Sequence, residues 1–331
     1  MAYGYNNKGD KSSLMARHKG LKLLKTGALV HKGLLEVPEE EYVYSGHNAC
    51  PGCGAAQAMR FVLKALGGNT ITVLAASCWS GIAGTFPQSS LKVSVLHTAF
   101  ETAAAAASGV RASLDMQGNK DTIVLAWAGD GGTFDIGLQA LSGAGERNEN
   151  ILFVCYDNEA YMNTGAHRSS ATPLLAWTAT TPINHPQDRP KKDIMAIMAA
   201  HRIPYAATAS VAFPHDLMEK VGKAKEIKGT RFLHIYSHCT TGWRYSPELG
   251  IKIARLAVES KAFPLYEVFQ GERYILTYKP KGVPVQEYLR MQGRFDHLKE
   301  GEIGFIQEEV DKRWEQLLQK CATSNTGIFL A

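Results

Sequence analysis

Two groups of residues in this 331-residue chain have types and spacings suited to chemistry. The first is Gly129-Asp130-Gly131-Gly132, directly after an apolar run at 122–128. Glycines let a backbone approach a ligand closely, and the start of a following helix offers free N–H groups and the positive end of its dipole to phosphate. Asp130 supplies a carboxylate for a hard divalent cation that bridges two phosphate oxygens. A second apolar run, 151–156, delivers Asp157-Asn158; the Asn158 amide oxygen and nearby backbone carbonyls complete a candidate magnesium site. The second group is four cysteines. Cys50-Pro51-Gly52-Cys53 places two thiolates close enough to share one metal centre, Cys78 follows the run 71–77, and Cys239 follows the run 231–237. Four thiolates suit a [4Fe–4S] cluster or a structural zinc ion, and spacing alone leaves both open. Zinc sites more often pair two Cys-x-x-Cys units, and this chain has one. Cys155, inside an apolar run, reads as a small core hydrophobe, and Cys321 has no assigned role.

The elements that must position these residues are legible as alternating textures. Residues 71–76, 93–96, 122–128, 151–156, 205–210 and 231–236 are short, apolar and largely β-branched, and read as buried strands. Helical patterns fall between them at 55–66, 101–116, 134–145, 193–201 and 215–228, with others at 246–261 and 307–320, and 265–279 reads as an irregular strand pair. This alternation implies an α/β fold, a mostly parallel sheet with helices on both faces. Asp130 and Asn158 stand 28 residues apart, enough for a helix and a returning strand, so both fall at one edge of the sheet. Parallel neighbours would likewise bring the ends at Cys78 and Cys239 together. The organisation expected is a basic N-terminal extension over 1–45, an α/β domain over 46–262 and a C-terminal extension over 263–331 that docks on other subunits.

Hydrophobic residues make up 45% of the chain and charged residues 20%, an ordinary globular balance with ample material for a core. A net charge of +5 gives no strong case for nucleic acid. Much of the excess lies early, in Lys8, Lys11, Arg17, Lys19, Lys22, Lys25 and Lys32, and reads as a solvated or subunit-docking extension. No apolar stretch approaches the roughly 18 residues of a membrane helix, and no signal peptide is visible. A cytoplasmic protein is expected, which makes a disulfide framework unlikely to be the role of these cysteines.

The segments HNACPGCGAAQAMR, GDGGTFDIGLQALSG, YDNEAYMNTG and HCTTGW, with the lone Cys78 after a strand, resemble the β subunit of 2-oxoacid:ferredoxin oxidoreductases. The resemblance covers roughly residues 45 to 260 and implies a thiamine-diphosphate-binding fold. It implies that Cys50, Cys53, Cys78 and Cys239 ligate a [4Fe–4S] cluster. It also implies that Asp130 and Asn158, with the Ala160 carbonyl, hold magnesium, and that Gly129, Gly131 and Gly132 form the phosphate turn. Asn163, with Thr164 beside it, would lie against the cofactor's diphosphate and reacting region, Asn163 in a catalytic role. The chemistry implied is oxidative decarboxylation of a 2-oxo acid, with the cofactor as electron sink and the cluster as electron acceptor.

In that family the glutamate that activates the cofactor, most substrate-binding groups and further clusters come from partner subunits. The chain alone is therefore expected to be inactive. Glu101 is the tempting internal candidate, but it reads as a helix N-terminal residue favoured by the dipole. His47 reads as a loop histidine, Arg168 as a phosphate or partner contact, and Trp79 and Ser80 as cavity-lining residues. Pyruvate, giving an acyl-CoA, is the base-rate substrate. An aryl glyoxylate such as phenylglyoxylate, a branched 2-oxo acid, 2-oxoglutarate or oxalate would use the same machinery, and the small-sided stretch 79–84 would leave room for the bulkier ones. Electrons would pass to ferredoxin or to a flavin- or NAD-linked acceptor subunit. The reading of another class is a zinc-stabilised, non-catalytic assembly subunit.

Overall fold

A computed structural model of the chain describes residues 21–23, 29–31 and 37–325. Lys8, Lys11, Arg17, Lys19, Lys25 and Lys32 of the basic extension lie outside the described residues. The chain divides after residue 36 into two units. In the first, β1 (Leu21–Leu23) and β2 (Leu29–His31) pair antiparallel.

The second unit is built on eight strands: β3 (Thr70–Ala75), β4 (Ser94–Thr98), β5 (Ile123–Gly129), β6 (Leu152–Asp157), β7 (Tyr205–Ser210), β8 (Arg231–Tyr236), β9 (Tyr266–Phe269) and β10 (Arg273–Leu276). Their spatial order is β10-β9-β7-β8-β6-β5-β3-β4. The six strands from β4 to β7 run parallel, and β9 and β10 add an antiparallel edge. Strands β6, β7 and β8 are buried along their whole length, as continuous apolar runs in a sheet covered on both faces must be.

Helices cover those faces. These are α1 (Gly54–Leu66), α2 (Cys78–Ala83), α3 (Ala103–Met116), α4 (Leu138–Glu146), α5 (Ile194–Ala200), α6 (Pro214–Glu226), α7 (Thr240–Trp243), α8 (Gly250–Glu259), α9 (Val285–Leu289) and α10 (Glu300–Asn325). Val73, Val124, Ala126, Phe153 and Phe232 meet Ala104, Ala107, Leu141, Met195 and Met198 of α3, α4 and α5 on one face. The alternate residues, Leu74, Leu125, Trp127 and Val154, are buried on the other. There α1 and α6 pack together. Helix α1 buries Ala55, Ala58, Met59, Val62, Leu63 and Leu66, the spacing of one apolar stripe. Each fully buried Val, Leu or Met in such a stripe contributes about 1.5–3 kcal/mol. No helix among the described residues is long and apolar enough to cross a membrane.

Two expectations are corrected. The helix expected over 134–145 is two pieces: a π-helical turn at Gly131–Asp135 and then α4. The break follows from Gly137, where a Cβ would stand 2.0 Å from the Gly132 carbonyl oxygen. The strands leading to Cys78 and Cys239 are not neighbours, because β5 and β6 lie between β3 and β8. Cys78 and Cys239 instead begin or cap short helices. Beyond residue 263, β9 and β10 extend the main sheet and α10 packs on β10.

Candidate cofactor and cluster site

Strands β5 and β6 are parallel neighbours with Gly129 opposite Tyr156, so Asp130 and Asn158 leave the sheet side by side at its carboxyl edge. Asp130, Gly131, Gly132, Asn158 and Ala160 are all buried. A cavity of about 260 Å³ opens over them, lined by Gly129, Asp130, Gly131, Gly132, Asn158, Ala160, Asn163 and Thr164. Every residue expected at the diphosphate and magnesium site therefore borders one cavity. Cys78 borders it too, with Ser77, Phe100, Tyr156, Tyr161 and Met162.

The glycine-rich segment forms a π-helical turn whose Gly131 and Gly132 border the cavity, and such turns recur at functional sites. Gly131 is obligatory: a Cβ there would lie 2.3 Å from the Tyr161 ring, whose hydroxyl donates to Asp135 at 2.9 Å. The ring lies so close to the chain that it leaves no room for a side chain.

Three oxygen positions converge beside this turn. One Asn158 amide atom lies 2.9 Å from both Asp130 Oδ1 and the Ala160 carbonyl oxygen. As an NH2 group it would donate to both. As the amide oxygen it lies from both oxygens at about the 2.8–3.0 Å edge of an octahedron with magnesium–oxygen bonds of about 2.0–2.1 Å. The donor set and spacing fit magnesium. Burial, and after it the Asp157 charge, holds the Asp130 carboxyl well above the ordinary carboxylate range. The Ser169 hydroxyl, donating at 2.5 Å, and Lys191 oppose that rise. A buried acid in this state takes a cation in exchange for its proton.

Asp157 has a different role. Its Oδ1 accepts from the Glu159 N–H at 2.9 Å, and its Oδ2 meets Lys191 Nζ at 2.5 Å and His234 Nε2 at 2.7 Å. Burial opposes its ionisation, but Lys191 and His234 outweigh that and bring it down to about 2. Glu159 pairs with Lys191 and with Arg294, 135 residues onward. No sequence spacing announces this network. Nor does anything announce Trp243, whose indole N–H donates to the Asn158 carbonyl at 2.8 Å.

Three of the four cysteines stand at helix starts. Cys53 caps α1, Cys78 is the first residue of α2, and Cys239 caps α7, where its Sγ accepts from the Gly242 N–H at 3.4 Å. Ser77 and Ser80 form a capping box that fixes the Cys78 turn. The Cys50 and Cys239 loops are stitched together: Gly54 N–H donates to the His238 carbonyl at 3.1 Å and Thr240 Oγ1 to the Pro51 carbonyl at 3.2 Å. A Cβ at Gly54 would lie 2.6 Å from that His238 carbonyl. Burial pushes the Cys78 thiol up to about 12 and the Cys239 thiol to about 11, and the charges of the other cysteines push the same way. Thiols so placed stay thiolates only when a positive centre holds them. Among the described residues no three His, Cys, Asp or Glu side chains are placed to share one metal ion. Cys50 is exposed and lines an outer hollow with Cys53, His47, Arg60 and Lys92.

Other expectations land elsewhere. Glu101 is exposed, one residue before the α3 cap Thr102, and does not line the cavity. Trp79 is fully buried, donating to the Ala55 carbonyl at 3.3 Å and packing edge-on against Trp127. No residue of 79–84 borders the cavity, so that stretch makes no room for substrate there. Arg168 bonds Gln187 at 3.3 Å.

The parallel sheet with a Gly-Asp-Gly turn and an Asn at adjacent carboxyl ends is that of a thiamine-diphosphate enzyme. Residues 75–235 match the family model for the thiamine pyrophosphate enzyme C-terminal TPP-binding domain. The chain is 49% identical over 287 residues to the pyruvate synthase subunit PorB of Methanothermobacter thermautotrophicus, covering 86% of this chain and 99% of that one. It is 47% identical over 296 residues to the ketoisovalerate oxidoreductase subunit VorB of Pyrococcus furiosus, covering 86% and 95%. A solved 2-oxoglutarate:ferredoxin oxidoreductase from Magnetococcus marinus shares the fold, with a TM-score of 0.54 at 21% identity over 68% of this chain and 82% of that one. The chain belongs to the 2-oxoacid:ferredoxin oxidoreductase family, as a thiamine-diphosphate-binding subunit that works with partner subunits.

Proposed function

We propose that this subunit carries both thiamine diphosphate, held through magnesium, and a [4Fe–4S] cluster, and that the assembled enzyme oxidatively decarboxylates pyruvate to an acyl-CoA. The observation that carries the reading is the convergence of Asp130, Asn158 and the Ala160 carbonyl on a cavity that Cys78 also lines. When bound, the cofactor supplies an electron sink as carbon dioxide leaves, and the cluster accepts electrons singly. The chain's own residues bind and orient. Asp130, Asn158 and the Ala160 carbonyl hold the cation against the diphosphate. Gly129, Gly131 and Gly132 give the phosphates backbone N–H groups without side-chain bulk, and Asn163 and Thr164 face the cofactor from the cavity mouth. Cys50, Cys53, Cys78 and Cys239 ligate the cluster, with Cys78 at the wall between the two groups.

Among the described cavity-lining residues Asp130 is the one carboxylate, and it is committed to the cation. The acid that engages the pyrimidine ring then comes from a partner subunit. The wider set of relatives favours pyruvate over a branched 2-oxo acid, but the identities of 49% and 47% are close. The deciding experiment is anaerobic dye reduction by the native complex with a panel of 2-oxo acids, with and without coenzyme A. Coenzyme A-dependent reduction by pyruvate is expected, and preference for 2-oxoisovalerate would replace the substrate while leaving the chemistry. A complex with intact cofactor and cluster that reduces dye with no 2-oxo acid refutes the reading. Electron delivery to ferredoxin is checked by replacing the dye with that protein.

A further inference from the structure

We propose that Arg294, carried by the C-terminal segment, is a positioning residue for the cation-binding loop 158–160, acting through Glu159 and Trp243. The inference rests on the reading of Asp130, Asn158 and Ala160 as the magnesium-holding set.

Glu159 lies between two of those residues with φ +65, a left-handed conformation that residues with a Cβ rarely adopt unless their surroundings enforce it. That turn brings the Asn158 side chain and the Ala160 carbonyl together beside Asp130. Its enforcement is visible. The Glu159 N–H donates to Asp157 at 2.9 Å and its carbonyl accepts from Thr172 Oγ1 at 2.8 Å. The Glu159 carboxylate, 5% exposed, meets Lys191 Nζ at 2.9 Å and Arg294 Nη2 at 2.5 Å. Lys191 is shared with Asp157, so Arg294 is the cation that Glu159 has to itself.

Arg294 is itself fixed on three sides. Its Nε donates to Gln292 Oε1 at 2.9 Å, its Nη2 also reaches the Tyr288 hydroxyl at 3.2 Å, and its guanidinium lies 4.0 Å from the centre of the Trp243 ring. It is 2% exposed and Trp243 is fully buried. Trp243 donates to the Asn158 carbonyl at 2.8 Å. One guanidinium thus holds both the left-handed residue, Glu159, by charge and its neighbour Asn158 through the indole. A lysine offers neither the planar fork nor the stacking face.

The test is made on the purified oxidoreductase complex, stripped of magnesium and thiamine diphosphate by chelation. Cofactor binding is titrated calorimetrically over a range of magnesium concentrations, with iron content and thermal midpoint measured alongside. Arg294→Gln is expected to raise the magnesium half-saturation by about 10- to 100-fold, as loss of a buried charged hydrogen bond implies. Trp243→Phe, which keeps the ring and removes the N–H, is expected to raise it about three- to tenfold with iron retained. A purely structural role would lower the thermal midpoint and leave the magnesium half-saturation of the folded fraction unchanged. Wild-type half-saturation in a folded variant overturns the proposal. If Arg294→Gln does not fold, Trp243→Phe decides alone. Cofactor binding that is independent of magnesium in the unmodified complex would instead overturn the cation reading on which the proposal stands.

Discussion

Gly137→Ala tests the idea that the π-helical turn is what presents the phosphate-binding backbone. The added Cβ would stand 2.0 Å from the Gly132 carbonyl oxygen and 3.2 Å from its carbon. Ordinary contact begins near 3.4 Å, so the two must separate by 3.4 − 2.0 = 1.4 Å. Both atoms belong to the chain itself, so no rotamer change relieves the clash. The clash must part the turn Gly131–Asp135 from α4, and both are held by fully buried residues, Thr133 and Phe134 on one side and Leu141 and Ala144 on the other. If the turn yields and binds phosphate as proposed, at least one charge-assisted N–H bond is lost, worth about 1.5–3 kcal/mol, or roughly 10- to 150-fold in dissociation constant. Overpacking also costs about 1–3 kcal/mol of stability, so binding is measured by calorimetry at a temperature where circular dichroism shows the complex folded. Gly143→Ala is the control, since its Cβ meets only the flexible Arg147 guanidinium at 3.2 Å. A Gly137→Ala complex that binds thiamine diphosphate within twofold of wild type would show that the turn's shape is incidental.

Three further outcomes are expected. Cys78→Ala should lose iron and visible absorption while the fold, monitored by circular dichroism, persists; full iron content in that variant would remove Cys78 from the ligand set. Gly109→Ala, in the exposed interior of α3 with nothing within 4 Å of the added Cβ, should stabilise by about 0.5–1 kcal/mol, seen as a raised denaturation midpoint. The Arg60 hydrogen bond leads in holding the Glu41 carboxyl down to about 2, with Lys64 helping against partial burial. A depressed folded-state value means that the stabilisation is full above the ordinary value of 4.5 and fades as pH falls from there toward 2. Glu41→Gln should therefore cost under about 1 kcal/mol at neutral pH, since the pair is partly exposed, and the difference from wild type should shrink below pH 4.5 and vanish below about pH 2.

The parts of the site that could be read from the chain are those built from contiguous segments. The run 122–128 followed by Gly-Asp-Gly-Gly, and the run 151–156 followed by Asp-Asn, name two strands and the chemistry at their ends. Their separation of 28 residues forces them to the same edge. That logic fails for the cysteines. It put Cys78 and Cys239 at the ends of adjacent strands, whereas β5 and β6 intervene. Three of the cysteines stand at helix starts and two hydrogen bonds tie the Cys50 and Cys239 loops together, and such bonds leave no periodic trace. It failed again at 134–145, where apolar spacing suits one helix and only the Gly132–Gly137 approach reveals the break. The deepest omission is the network joining Asp157, Lys191, Glu159 and Arg294. A buried acid is costly unless it is paired, so Glu159 in Asp-Asn-Glu-Ala had to have a partner, and burial could not be inferred from a polar tetrapeptide. With Lys191 32 residues away and Arg294 135 residues away, local pattern can state that need only after the fold has shown that Glu159 is inside.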